Sequence, residues 1–285
     1  MTAFDPLTLA ADFTTVRQIL ANFVAARSPR DWDRKTERRA KGWTLHETLA
    51  HLTATAQTMY QATVQALNGR PISFPGIAHR VELADYNARE VAARRNVAPQ
   101  TLAEQLFEVL DQCAAHGSAR DERDLALTIP IPFYNRPLTV AEALGWQLMH
   151  PGLVHAAQLA NGAGVAPLWV HYPPDLLHRQ ISRFFNAMSH SYWPERGRTL
   201  RADINFVVAR PGGGRWYLTV DTEGGATGES AARRPALTVW LRSPDALCRL
   251  LTIQISPVGA LLTGQMFAWG SLSLGFRIPY LFTPT

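Results

Sequence analysis

The chain has almost no cysteine. Cys113 and Cys248 stand 135 positions apart in 285 residues with no pairing pattern, which argues against a disulfide framework and against a thiolate metal site. Both read as small buried hydrophobes. No apolar run approaches the roughly 18 residues of a membrane span. The opening Met1-Thr-Ala-Phe-Asp5 lacks the charged start and apolar stretch of a secretory signal, so the expected location is the cytoplasm. Several motifs of catalysis are missing as well. There is no Gly-x-Ser-x-Gly elbow and no phosphate loop, and Gly212 to Gly214 joins two strands instead of opening a helix as a dinucleotide fingerprint would. Neither cysteine has a neighbouring base to activate it. Charge is modest, 18% of residues with a net of +5. The densest basic patch, Arg27 to Lys41, sets seven basic residues against Asp31, Asp33 and Glu37 with Trp32 as its one aromatic. Nucleic-acid binding calls for interleaved stacking rings, so no nucleic acid is expected as a partner. The patch reads as a solvated loop between helices, with attraction of an anionic small molecule or a phosphate surface as the alternative.

What the chain does have is apolar residues, 47% of the total, enough for a substantial core. At this length two domains are expected. Three helix starts carry a capping box, in which a Thr hydroxyl accepts from the backbone and a Glu three residues on reaches back: Thr44 with Glu47, Thr101 with Glu104, and Thr139 with Glu142. After the first, Leu45, Leu49, Leu52, Ala56, Met59, Val64 and Leu67 recur at helical intervals until Asn68-Gly69. The second runs through Leu102, Leu106, Val109, Leu110 and Cys113 to Gly117, and the third from Val140 to about Ala160, ending at Asn161-Gly162. An earlier amphipathic stretch carries Leu9, Phe13, Val16, Ile19, Leu20 and Phe23. Four helices with one apolar stripe each bury those stripes against one another, which predicts an all-α four-helix bundle over residues 1–163. Ile77 through Arg95 reads as a shorter additional helix.

Beyond Gly164 the period changes from about 3.6 to 2. A helical stretch, Asp175 to Met188, precedes alternating strands. Ala202, Ile204, Phe206 and Val208 share one face, the Pro211-Gly-Gly-Gly214 turn leads into Arg215 to Asp221, and Ala236 to Leu241 makes a third strand. Ser243-Pro244 opens a short helix, and a last strand is expected from Gln265 to Leu274. These elements predict an α+β domain over residues 164–285, an antiparallel sheet covered on one face by helices.

The second half resembles the sterol-carrier-protein type 2 family over about residues 172–285. The carrying residues are Gly214-Arg-Trp-Tyr-Leu-Thr-Val220, Pro235-Ala-Leu-Thr-Val-Trp-Leu241 and Leu262-Thr-Gly-Gln-Met-Phe-Ala-Trp-Gly-Ser-Leu272. The resemblance implies an apolar tunnel for an acyl chain or a small apolar molecule, with Phe206, Trp216, Met266, Phe267, Trp269 and Phe276 as candidate lining. The other reading is that Met266, Phe267, Trp269, Phe276, Tyr280 and Phe282 finish a core or dock on the helical half. A homodimer is left open.

The first half resembles the DinB-like superfamily, which includes mycothiol-dependent maleylpyruvate isomerases, over about residues 5–163. That resemblance rests on Trp43-Thr-Leu-His-Glu-Thr-Leu-Ala-His51-Leu, on Asp85-Tyr-Asn87, and on His155-Ala-Ala-Gln158-Leu. It implies a divalent metal held by His51 and by a pair on the last helix, a low-molecular-weight thiol as cosubstrate, and a transferase or isomerase activity. The residues match that pattern incompletely. Four positions before His155 stands Pro151, which cannot ligate, and the nearest candidate is His150, five before. In a regular helix five residues place two side chains about 140° apart, so the pair converges only through a local bulge, which a proline makes plausible. Two readings follow. In one, His51, His150 and His155 hold Zn²⁺, Ni²⁺ or Fe²⁺. In the other the site is degenerate, the three are hydrogen-bonded core residues, and the protein is a non-catalytic carrier of lipids or small hydrophobic molecules. Glu47, one turn before His51, is a capping residue and a candidate orienter of that imidazole. His46 reads as exposed and Gln158 as bundle surface or interface. The remaining histidines show no ligand spacing.

Overall fold

The computed structural model describes residues 3–37, 42–232 and 234–282. The chain divides into two compact units, Met1–Phe133 with Leu138–Tyr172, and Tyr134–Pro137 with Pro173–Thr285.

In the first unit the helices are α1 (Pro6–Ala25), α2 (Leu45–Leu67), α3 (Leu83–Ala93), α4 (Pro99–Ala119) and the single turn α5 (Glu122–Leu125), followed by the strand pair β1 (Thr128–Ile129) and β2 (Leu138–Thr139). After these come α6 (Val140–Met149), a π-helical turn (His150–Val154) and α7 (His155–Ala163). Local chemistry sets the starts. Asp5 caps α1 by accepting from the Thr8 N–H at 3.1 Å. Both halves of the capping box form at α2, where the Thr44 N–H donates to Glu47 at 2.7 Å and the Glu47 N–H to Thr44 Oγ1 at 3.1 Å. The same box opens α6 between Thr139 and Glu142. The box expected at Thr101 does not form; α4 begins earlier, at Pro99 after Ala98. Proline at the first helical position has its φ already set and lacks only an N–H that would be unpaired there. α7 likewise passes Asn161-Gly162 and stops at Gly164, whose φ of +70° is the left-handed helix stop.

The apolar stripes meet as their spacing demands. α1 packs on α4 and α6, and α2 on α3, α4, α6 and α7, burying Leu9, Phe13, Val16, Leu49, Leu52, Met59, Leu106 and Leu148. Each such side chain contributes ~1.5–3 kcal/mol on leaving water. Two buried polar groups fix the sliding of these helices. Thr53 Oγ1 donates to the Leu102 carbonyl at 2.9 Å, joining α2 to α4, and Gln147 Nε2 donates to the Ala56 carbonyl at 2.8 Å, joining α6 to α2.

The second unit contains α8 (Pro174–Ser191), α9 (Pro194–Gly197), β3 (Ala202–Val208), β4 (Arg215–Val220), β5 (Gly225–Gly228), β6 (Leu237–Leu241), α10 (Pro244–Leu251), α11 (Pro257–Leu262), β7 (Met266–Gly270) and α12 (Leu272–Leu281). Its five strands lie in the order β5-β4-β3-β6-β7. The expected hairpin is present, with Phe206 opposite Trp216 and Ala202 opposite Val220. The sheet is mixed, however, and not antiparallel throughout. β5 takes the outer side of β4, so the chain returns across the sheet and lays β6 parallel to β3, with Ile204 opposite Leu237. Ile204, Phe206, Trp216, Leu218, Val239 and Leu241 are buried, and α8 and α10 pack on the strands. The last strand is shorter than expected and a helix takes over at Leu272. Gly270 makes the turn with φ +98°, and a Cβ there would come within 2.4 Å of the Ala236 carbonyl. No described helix is long and apolar enough to cross a membrane.

Candidate metal centre

The π turn settles the geometry of the last long helix. Pro151 has no N–H to continue the i to i−4 ladder, and its ring would collide with the carbonyl four residues back. The chain absorbs this with a wider turn, in which the His155 N–H donates to the His150 carbonyl five residues earlier. A turn closed that way holds more than four residues where an α-turn holds about 3.6, so positions five apart return to one side. The Tyr172 hydroxyl donates to the Gly152 carbonyl within the bulge, tying the turn to the segment that follows α7.

The result is convergence. His150 Nε2 and His155 Nε2 lie 3.1 Å apart. The ring of His51, from α2, stands 5.4 Å from that of His150 and 4.8 Å from that of His155, centre to centre. One ring nitrogen from each of the three lies within 4.8 Å of the others, and all three residues are buried. Among the described residues this is the one grouping of His, Cys, Asp and Glu close enough to share an ion.

The surroundings hold the rings in place and keep them neutral. His155 Nδ1 lies 2.6 Å from Gln158 Oε1. An amide oxygen only accepts, so Nδ1 carries the proton and the lone pair is left on Nε2, toward His150. The Gln158 amide nitrogen in turn donates to Glu37 at 3.5 Å. Trp146 stacks on His150 at 4.3 Å with an interplanar angle of 17°, and Trp43 lies 4.7 Å from His51. Burial pushes the imidazoles of His51 and His150 well below their ordinary value, and neighbouring imidazoles push the same way: His155 on His51, and His155 and His51 on His150. Burial takes His155 down to about 4, against the Gln158 hydrogen bond that raises it.

Three neutral imidazoles are a donor set suited to Zn²⁺, Ni²⁺ or Fe²⁺. His51 Nδ1 is buried without a hydrogen-bond partner among the described residues, and an orphaned buried nitrogen beside two other imidazoles is what an ion-binding site presents. The residues present therefore fit a divalent ion.

Glu47 has other partners. Its carboxylate serves the Thr44 cap and lies 3.8 Å from Lys35, and among the described residues no hydrogen bond joins it to His51. The side chain that orients an imidazole is Gln158, which its sequence position marks only as bundle surface or interface. His46 is half-buried instead of exposed, with Nε2 2.8 Å from the Val97 carbonyl. Trp146 also went unnoticed and Trp43 entered only as the first residue of a motif, although Trp146 stands one turn before His150 and Gln158 three residues after His155, both neighbouring positions on a helix. The candidate apolar lining of the second unit divides. Phe206 and Trp216 are buried around Phe185, with Phe185 4.8 Å and 5.6 Å from their rings, and Met266 is buried too. Phe267, Trp269 and Phe276 are exposed.

The family profile of the DinB superfamily matches residues 12–159. The crystal structure of the mycothiol-dependent maleylpyruvate isomerase has a similar fold, with a TM-score of 0.55 at 15% sequence identity over 88% of this chain and 89% of that one. A histidine-to-alanine mutant of that isomerase gives the same TM-score and coverage at 14% identity. No curated protein sequence matches the chain.

Proposed function

The chain belongs to the DinB superfamily, and from that premise we propose that His51, His150 and His155 hold one divalent transition ion and that the protein is a metal-dependent transferase or isomerase of the thiol-using kind. The convergence of three buried, neutral imidazoles across the π turn carries this reading. When bound, such an ion supplies Lewis acidity, lowering the pKa of a thiol or water in an open position so that a nucleophile is available at neutral pH. The protein's own groups prepare that chemistry. Gln158 holds His155 as the Nδ1–H tautomer with its donor pair on Nε2, and the stacked Trp146 fixes the plane of His150. Depressed basicity keeps all three rings unprotonated at pH 7, so none has to shed a proton before it ligates. Trp43 and Trp146 give the centre apolar neighbours in which a charged nucleophile is poorly hydrated and correspondingly reactive toward an electrophile. The substrate class is an electrophile open to thiol or water attack.

The second unit we read as a sterol-carrier-like α+β domain, supported by the order of β3, β4, β6, α10 and β7, with apolar ligand binding tested by displacement of a fluorescent fatty acid.

Elemental analysis of protein stripped and then repleted with Zn²⁺, Ni²⁺ or Fe²⁺ tests the metal assignment. The expected result is about one equivalent per chain, lost in His51→Ala and in His155→Ala. Stoichiometry near zero in the wild type overturns it.

A further inference from the structure

At the end of α10 the chain has isoleucine where a helix stop calls for glycine. The helix closes with the two bonds of a Schellman stop, the Ile253 N–H donating to the Leu250 carbonyl at 3.2 Å and the Gln254 N–H to the Arg249 carbonyl at 2.8 Å. Ile253 has φ +59°, a conformation that strains a β-branched residue and costs glycine nothing. Its side chain is nevertheless directed to solvent. Ile253 is 83% exposed, and so is Leu262 at the end of α11. Along α11, Val258, Leu261 and Leu262 are exposed while Ala260 is buried. Positions i, i+3 and i+4 share a face, so this helix turns its aliphatic face outward, the reverse of a helix that serves a core.

Two observations identify what meets these side chains. The first is the backbone. The N–H groups of Ile253, Gln254 and Ile255 donate to carbonyls of α10, and those of Gly259, Ala260, Thr263, Gly264 and Gln265 to oxygens of α11 and its Ser256 cap. The hydroxyls of Thr252 and Thr263 donate to the Cys248 and Gly259 carbonyls, each at 2.7 Å. Hydrocarbon excludes polar groups that lack partners, and these have theirs within the segment. The second is charge. Residues 250–276 include no Asp, Glu, Lys or Arg, whereas residues 230–285 hold five arginines against a single acidic residue, Asp245, which Arg249 binds at 2.8 Å. The Arg242 N–H donates to the Gln265 carbonyl and the Gln265 N–H to the Ala260 carbonyl, both at 2.9 Å, and the Ala209 N–H donates to the Leu241 carbonyl at 3.1 Å. Those bonds bring Arg210 and Arg242, both exposed, to the end of the sheet that α11 adjoins. Asp175 stands at this end too, next to Pro174, which the turn at Gly212 touches. An uncharged aliphatic tip bordered by arginines is the composition of an interfacial membrane anchor, whereas protein interfaces draw their energy from Trp, Tyr and Arg more than from Leu and Val.

We propose that the tip between α10 and β7 docks the protein on an anionic lipid surface, with Ile253, Val258, Leu261 and Leu262 entering the acyl boundary and Arg210 and Arg242 meeting the headgroups. The tip lies in the interface and does not span it.

Flotation of the full chain with vesicles of phosphatidylcholine, alone or with about 30% phosphatidylserine, tests this. The expected result is binding to the mixed vesicles, at least ~10-fold weaker with phosphatidylcholine alone and weakened by raising salt from about 0.1 M to 0.5 M. The double variant Ile253→Asp with Leu262→Asp is expected to lower affinity at least ~100-fold, about tenfold for each aliphatic group withdrawn, and Arg242→Ala about fivefold, with circular dichroism unchanged. Ile253→Gly separates docking from folding and decides the matter where the double variant fails to fold. It relieves the strain at φ +59°, so its melting temperature is expected to rise while its lipid affinity falls. A wild type that does not float with mixed vesicles at about 1 mM lipid overturns the proposal, as does binding that Ile253→Gly and the double variant leave unchanged. Self-association of the wild type in sedimentation velocity, abolished by the same variants and without flotation, overturns it too and assigns the tip to a second copy.

Discussion

Replacing Gln158 by leucine keeps the volume near His155 and removes the acceptor for its Nδ1–H. Two consequences can be sized. In the metal-free protein the Nδ1–H loses its 2.6 Å partner, and leaving a buried donor unpaired costs ~1–3 kcal/mol. In the metal-bound protein the ring is no longer held in the tautomer that presents Nε2, and loss of such an orienting hydrogen bond lowers affinity ~10–100-fold. Competition against a chromophoric chelator reads the second quantity, and long-range proton–nitrogen correlation of the imidazoles reads the tautomer directly. Gln158→Glu provides an acceptor again, but places a carboxylate where the amide now donates to Glu37 at 3.5 Å. Its rescue is therefore expected to be partial alone and larger when combined with Glu37→Gln. If Gln158→Leu binds metal within about threefold of wild type and His155 keeps its Nδ1–H, the side chain does not position the ring and the reasoning is refuted.

The metal-free protein is expected to lose stability in mild acid. The three imidazoles titrate lower when folded than when unfolded, near 6.5, so the unfolded chain binds more protons below that pH. The contribution is whole above about pH 6.5 and falls toward about 4, with His155 alone accounting for ~3 kcal/mol at ~1.4 kcal/mol per unit. A metal-free melting temperature unchanged between about pH 7.5 and 5 would contradict this. Tyr172→Phe removes the hydroxyl that satisfies the Gly152 carbonyl and is expected to cost ~1–2 kcal/mol in denaturant unfolding and to weaken metal binding through the loosened turn; unchanged values of both would show that the bond does not support the bulge.

The parts of the fold written in local chemistry were legible in the sequence. The starts at Thr44, Thr139 and Ser243 are each set by a side chain bonding a backbone group three residues away, an interaction that needs no distant contact. The misreadings have one cause, competition between local signals or between alternative partners. At the fourth helix Pro99 and Thr101 both mark a beginning, and the proline acts first because its φ is already fixed. In the sheet, alternation at Ile204, Phe206 and Val208 reports which face is buried but not which strand lies alongside. β5 and β6 each offer a strand-like run, and their order is decided by how the chain returns over the sheet, which yields the parallel pairing of β3 with β6.

The histidine cluster was legible only as a contradiction. His150 and His155 stand at a spacing that an α-helix sends to different sides, and Pro151 between them is a residue an α-helix rejects. Each anomaly alone argues against a site, but they have opposite geometric effects. The proline demands an extra residue in the turn, and one extra residue is what a five-residue spacing needs in order to converge. The observed His155 N–H to His150 carbonyl bond is the common solution. The turn is also bonded at the Gly152 carbonyl by the Tyr172 hydroxyl, a residue outside the helix whose role no local pattern announces. The Gln158 contact escaped for a different reason: three residues after His155 on α7 the two are neighbours by spacing alone, but a glutamine there reads as surface or interface until the imidazole beside it is seen to be buried. A proline between two histidines five apart, inside an otherwise apolar helix, is thus itself a signature of convergence, and it can be sought in other sequences where the four-residue spacing is missing.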